Sequence, residues 1–210
     1  MRNCAEDKIK LIFVRHGLTP ANEGRKYCGR RNDEDLSEAG IKLVTARKES
    51  GIYPDADIVF VSPKKRAKHT SEIIYPGVEK IIMPEFDEMD FGDFEGKTHE
   101  ELKDTPEYKA WIESDGNLPF PGGESREDYS MRVGRGFECM LQKLSEYKEC
   151  GRVFSNVAIT AHGGTIMAVL SKYANESYFG SMVANAGGFV CEVNPEDAYS
   201  LKVTERFPDR

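Results

Sequence analysis

Short, almost wholly apolar runs alternate along the chain with stretches of helical period. Ile9 to Val14 (IKLIFV), Ile58 to Val61 and Asn156 to Ala161 (NVAITA) carry hardly a polar position. Runs of this kind are expected for central strands covered on both faces. Glu79 to Met83, Gly188 to Val193 and Tyr199 to Val203 complete a set of six expected strands. Between them lie expected helices: one from Ser37 as N-cap to about Ser50, one opening at Ser62-Pro63, one from about Ser125 to Lys148, and one from Thr165 to about Tyr173. In the third, Tyr129, Val133, Phe137, Met140, Leu141 and Leu144 keep helical spacing. Strands alternating with helices predict an α/β fold: a three-layer sandwich whose mostly parallel six-stranded sheet has helices on both faces.

One stretch breaks the alternation. Residues 87–124 are rich in Gly, Pro and acidic side chains (FGDFEG, LPFPGGES), with a short helix expected near Thr98 to Ile112. A long segment of weak periodicity inside a compact domain is usually functional. It is expected to be an excursion over the site, a lid or specificity insert, within one domain spanning residues 1–210. Its aromatics Phe91, Phe94, Tyr108, Trp111 and Phe120 either stack on a substrate ring or pack against each other, packing being the preferred expectation.

Charge narrows the partners. The chain has 210 residues, 29 Lys plus Arg and 36 Asp plus Glu, for a net charge of −7. That balance disfavours a general nucleic-acid or membrane-surface binder, which would want a basic face. It does not disfavour a small anion held by a few local arginines, because distant charges are screened beyond about 10 Å. The cysteines, Cys4, Cys28, Cys139, Cys150 and Cys191, are odd in number and form no CxxC pair, as expected of free thiols in a reducing compartment. No apolar run reaches the roughly 20 residues a bilayer needs and no signal peptide is expected, so the expected location is the cytoplasm. Oligomeric state is not legible.

Ligands of open α/β sheets bind at the carboxyl ends of strands. Three expected strands end in suggestive residues: Arg15-His16-Gly17, Ser62-Pro63 with Arg66 close behind, and His162-Gly163-Gly164. Glycine after each histidine would let backbone approach a ligand and offer N–H groups to an anion at a helix start. In order along the chain, RHGLTPAN, SPKKRAKHT, DEMDFGDFEG, PGGES and HGGTI resemble the histidine phosphatase superfamily, with its phosphoglycerate-mutase-like fold, over nearly the whole chain. The resemblance implies that His16 is a nucleophile that becomes phosphohistidine and that Arg15 and Arg66 clamp the phosphoryl group. It implies that His162 is a second, charged histidine donating to the phosphoryl oxygens, and that Glu88 is the general acid, its pKa raised by the phosphate beside it. Glu95 and Asp90 are the rivals for that role. Asn22, Thr19 and Gly163 are expected at the phosphate, Thr19 and Asn22 having an alternative as turn and cap residues. Glu124 is expected to orient His16 or its neighbours, or simply to start a helix. Lys64, Lys65 and Lys68 are expected to be surface charge.

The resemblance implies hydrolysis of a small-molecule phosphate, with no metal and no other cofactor; Arg15 beside His16 disfavours a dication. Among the superfamily's branches, DFGDFEG and PGGES look most like the α-ribazole phosphatases, which makes α-ribazole 5′-phosphate a candidate substrate. A cofactor-dependent mutase is the alternative, disfavoured because 87–124 carries only Lys97, Lys103 and Lys109 as basic residues. A non-catalytic, binding-only member of the fold is the other; it is disfavoured because such members lose a histidine or an arginine that this chain keeps.

Overall fold

The computed structural model describes residues 9–193 and 199–208. In chain order the elements are β1 (Lys10–Arg15), α1 (Pro20–Glu23), α2 (Glu38–Glu49), β2 (Ile58–Val61), α3 (Lys65–Ile74) and β3 (Lys80–Ile82). There follow α4 (His99–Leu102), α5 (Pro106–Glu113), α6 (Arg126–Glu149), β4 (Asn156–Ala161), α7 (Gly163–Tyr173), β5 (Gly188–Val193) and β6 (Leu201–Phe207). The strands form one sheet in the order β3-β2-β4-β1-β5-β6. β2 pairs in parallel with β3 and β4, and β4 with β1; β5 runs antiparallel to both β1 and β6.

Period-two geometry divides each central strand between two cores. Leu11, Phe13, Ile58, Phe60, Val157 and Ile159 face a cluster built with α6 and α7. Ile12, Val14, Val59, Val61 and Ala158 face a second cluster that includes Val44 of α2 and Ala67 and Ile74 of α3. This is the expected three-layer sandwich, and it explains why β1, β2 and β4 read as continuous apolar runs.

Local expectations needed correction in several places. Ser62 does not cap a helix: α3 begins at Lys65, with Lys64 at the N-cap position and no side-chain cap bond, and the Ser62 hydroxyl is used elsewhere. The helix expected near 98–112 is two helices, each capped by a threonine, Thr98 and Thr105, with Pro106 opening the second. The last strand lies later than Tyr199–Val203 because its pairing with β5 runs on to Phe207. It sits at the sheet's edge, where polar residues dilute the signal. Cys4 lies outside the described residues; Cys28, Cys139, Cys150 and Cys191 are free thiols.

Candidate active site

Parallel register assembles the centre of the site. Arg15 of β1 pairs with Ala161 of β4, and the His16 N–H continues the ladder to Ala161 O at 3.0 Å. The histidines that follow each strand therefore leave the sheet side by side, with ring centroids 5.2 Å apart at an interplanar angle of 66°. β2 ends flush with them, Ser62 N–H donating to Thr160 O at 3.0 Å.

His16 is buried, and its Nδ1 lies 2.7 Å from Gly17 O. A carbonyl only accepts, so Nδ1 carries the proton and the lone pair is left on Nε2. Burial, then the charges of Arg66 and Arg15, push the His16 pKa well below its ordinary value, against a smaller upward pull from the Gly17 bond. The ring is neutral at pH 7, as a nucleophile must be. Asn185 Nδ2 donates to His16 O, Gly17 O and Asn22 Oδ1 at 3.2, 3.3 and 3.1 Å, holding the strand end and α1 in one frame.

His162 is fully buried and meets Ser62 Oγ through Nε2 at 2.7 Å. The same hydroxyl accepts from Lys64 N–H at 3.4 Å and keeps its own proton to give; donated to Nε2, that proton leaves the ring's own proton on Nδ1. His162 Nδ1 has no hydrogen-bond partner and lies 3.8 Å from Glu88 Oε2. The protein's own groups do not charge this ring, contrary to the sequence expectation. Burial, and then Arg66, His16, Lys64 and Arg15, lower its pKa well below the usual value.

Two guanidinium groups complete the cluster. Arg15 Nη1 donates to Val183 O at 2.7 Å. Arg66, fully buried on the first turn of α3, donates to Asn32 O at 2.9 Å and Gly29 O at 3.2 Å. In both, Nε is buried without a partner. A buried donor left unmade costs about 1–3 kcal/mol, so these two Nε atoms and His162 Nδ1 form a preset of positive or polar donors suited to a tetrahedral anion.

Glu88 is buried, 7% exposed, and Oε1 accepts from Met89 N–H and from the Tyr129 hydroxyl, each at 3.0 Å. Burial raises its pKa, against the Met89 bond, Arg66, the Tyr129 bond and Arg15. The upward shift thus comes from the protein itself and not from a phosphate alone. The rivals are occupied elsewhere. Glu95 accepts from Gly29 N–H at 3.1 Å and Arg31 N–H at 3.0 Å; Asp90 pairs with Arg31 Nε at 2.8 Å.

Thr19 and Asn22 form a capping box on α1, which uses the Thr19 hydroxyl and leaves Asn22 Nδ2 as the group free for an anion. Gly163 opens α7, where its N–H has no intrahelical partner; a Cβ there would stand 3.5 Å from Arg15 Cζ. Gly17 has a different reason from the expected one. A Cβ on it would lie 2.7 Å from Val44 Cγ2 of α2, so it lets that helix approach. Glu124 does not touch His16: Arg132 of α6 grips it through Nε and Nη2, both at 2.9 Å. Lys64 is no surface charge, being 12% exposed and 3.6 Å from Asp87.

Sequence reasoning missed Arg132, Tyr129 and Asn185. Arg132 also donates to Glu85 O, Asp87 O and Glu88 O at 2.8, 3.0 and 3.2 Å, fastening the segment that carries Glu88. Tyr129 appeared only as a core position of α6. No local signal marks any of the three. Of the excursion's aromatics, Phe91, Trp111 and Phe120 line a cleft of about 330 Å³ that also reaches Arg15, Glu88 and Gly163, while Phe94 and Tyr108 are buried at 2% and 4%. The part of the lining that comes from a later segment, Tyr178, Phe179 and Met182, was not anticipated.

Residues 11–198 match the family model of the histidine phosphatase superfamily, branch 1. The chain belongs to that superfamily. This histidine phosphatase is 30% identical over 168 residues to the adenosylcobalamin/alpha-ribazole phosphatase of Salmonella typhimurium, covering 78% of this chain and 79% of that protein. Its fold matches the crystal structure of the alpha-ribazole phosphatase from Shigella flexneri with a TM-score of 0.76 at 25% identity, over 94% of this chain and 96% of that one. It matches the phosphoglycerate mutase of Thermus thermophilus with a TM-score of 0.68 at 27% identity, over 96% and 100%. No helix among the histidine phosphatase's described residues is long and apolar enough to cross a membrane.

Proposed function

We propose that the protein hydrolyses a small organic phosphomonoester in two steps through phosphohistidine on His16. The observation that carries this reading is the set of buried, unpartnered donors, Arg15 Nε, Arg66 Nε and His162 Nδ1, gathered around a neutral imidazole whose lone pair is on Nε2. In the first step Nε2 attacks phosphorus, the P–O bond to the substrate breaks, and the leaving oxygen takes the proton of Glu88. In the second, water attacks phosphorus, Glu88 takes the water's proton, and the P–N bond breaks to release phosphate. Arg15, Arg66 and His162 hold the equatorial oxygens as charge redistributes; Asn22 Nδ2 and the Gly163 N–H add neutral donors. Arg132 and Tyr129 position Glu88. No step requires a metal or other cofactor.

Hydrolysis is favoured over mutase chemistry because Lys97, Lys103 and Lys109 are all exposed and none lines the cleft, while Arg126, which does line it, is engaged by Asn117 and the rings of Tyr178 and Phe179. The finer reading, α-ribazole 5′-phosphate as substrate, is supported by the names of the Salmonella and Shigella relatives. Residues 87–124 act as the specificity insert of a single domain in this reading, and the free thiols suit a cytoplasmic location. The test is rapid-quench reaction with a ³²P-labelled phosphomonoester. The expected result is an acid-labile, alkali-stable phosphoenzyme in the wild type and none in His16→Ala; label retained by His16→Ala would refute the proposal.

A further inference from the structure

The cleft beside the candidate site has a composition that phosphoryl transfer does not require. Its near end is made by Arg15, Glu88 and Gly163. The general acid must reach the oxygen that leaves phosphorus, so whatever is attached to that oxygen extends from Glu88 into the rest of the cleft. There it meets six rings: Tyr27, Phe91, Trp111, Phe120, Tyr178 and Phe179.

The rings are arranged as walls. Phe91 and Phe120 stand 5.0 Å apart at 59°, and Trp111 lies 4.8 Å from Phe120 at 34°. Tyr27 presents its ring, since its hydroxyl is tied to that of Tyr108 at 3.0 Å. Three methionines, Met89, Met167 and Met182, fill the gaps with polarizable, adaptable side chains that suit contact with a ring. Two of the lining residues are large apolar groups open to solvent: Phe179 and Met182 are each 54% exposed. Trp111 Nε1 is buried without a partner, so an acceptor on the ligand would satisfy it.

The charged groups lining the cleft are Arg15, Glu88 and Arg126. Arg15 and Glu88 belong to the transfer chemistry. Arg126 donates to Asn117 Oδ1 and lies over the rings of Tyr178 and Phe179, 5.5 and 5.8 Å from their centroids. It is therefore used as a strap between the 87–124 excursion and the segment that carries Tyr178 and Phe179.

We propose that this cleft is a leaving-group subsite for a flat, uncharged aromatic alcohol, and that it selects against small or carboxylate-bearing alcohols. The inference rests on the phosphomonoesterase reading, because it assumes that the group beyond Glu88 is the leaving group. It goes beyond that reading by assigning the recognition to ring contacts from two separate segments, Trp111 from one and Phe179 from the other.

The test compares kcat/KM for 2-naphthylmethyl phosphate and ethyl phosphate, whose alcohols have similar acidity, so that the ratio reports binding of the group and not its ease of departure. O-phosphoserine and 3-phosphoglycerate are the carboxylate-bearing members of the panel. The expected preference for the naphthylmethyl ester is about 100-fold, and Trp111→Ala and Phe179→Ala each reduce that ratio by roughly 10-fold or more. A variant that merely folds poorly would lower both rates together and leave the ratio intact. A ratio near one in the wild type, or a ratio unmoved by both substitutions, overturns the subsite while the phosphatase reading stands. Faster turnover of phosphoserine or phosphoglycerate that is lost in Arg126→Gln overturns it in favour of carboxylate recognition. No phosphate release from any ester refutes the phosphatase reading, and the subsite with it.

Discussion

Arg132→Ala separates positioning of Glu88, the proposed general acid, from general stability. The side chain is 13% exposed and its partner Glu124 is 18% exposed. Breaking a buried ion pair by deleting one partner costs about 3–5 kcal/mol, and partial exposure, with Arg30 4.0 Å from Glu124, brings this to about 2 kcal/mol. Three carbonyls, of Glu85, Asp87 and Glu88, lose a donor as well; those able to reach water recover most of it, leaving about 1 kcal/mol. A loss of about 3 kcal/mol is a large share of a stability of roughly 5–15 kcal/mol. It corresponds to a fall in Tm of about 6–12 °C for a chain of this size, readable by calorimetry. The catalytic consequence is distinct. With its carbonyl anchor gone, Glu88 no longer holds Oε2 where a leaving oxygen arrives. kcat/KM for an alkyl phosphate, whose alkoxide must be protonated, should fall about 10- to 100-fold, part of what a general acid contributes. kcat/KM for p-nitrophenyl phosphate, which reports transfer to His16 and not the later hydrolysis that uses Glu88 as base, should fall far less, since its leaving group departs unprotonated. Measured below the variant's own Tm, an equal fall for both esters, or no fall for either, refutes the positioning argument and leaves Arg132 a stability residue.

Glu88→Gln should lower kcat/KM on alkyl phosphates by about 10²–10⁴-fold and largely spare kcat/KM for p-nitrophenyl phosphate, which reports the first transfer alone; equal losses in kcat/KM would point to Glu95 or Asp90 instead. Tyr129→Phe removes a donor that favours the Glu88 anion, so the Glu88 pKa rises further. Transfer to the leaving group needs protonated Glu88, present below that pKa and lost above it. The alkaline limb of kcat for an alkyl ester should therefore move to higher pH, and a pH–rate profile with an unmoved or lowered limb contradicts the assignment.

Much of this protein is legible in one dimension. β1, β2 and β4 announce themselves because burial on both faces demands apolar residues at every position, a rule that acts residue by residue. The helices α2 and α6 show their starts through Ser37 and Ser125, whose hydroxyls cap the first turn. The chemistry is legible too, since an imidazole or guanidinium at a strand's carboxyl end stands out against the apolar run before it, and the resemblance to the histidine phosphatases adds to that reading. What stayed hidden depends on groups far apart in the chain. Ser62 reads locally as a cap, yet its hydroxyl serves His162, a hundred residues on. Lys64 reads as one of a surface triplet, and loop packing buries it against Asp87. Arg132 and Asn185 are ordinary polar residues until folding brings backbone carbonyls to them. The neutral state of His162 is likewise a tertiary result: burial and neighbouring cations, not residue type, disfavour its charge. Residue pattern thus determined the layers and named the candidate reacting groups, because those follow from local period and intrinsic chemistry. The tertiary structure alone decided protonation, anchoring and the walls of the cleft, because each is a sum over neighbours that the order of residues does not place.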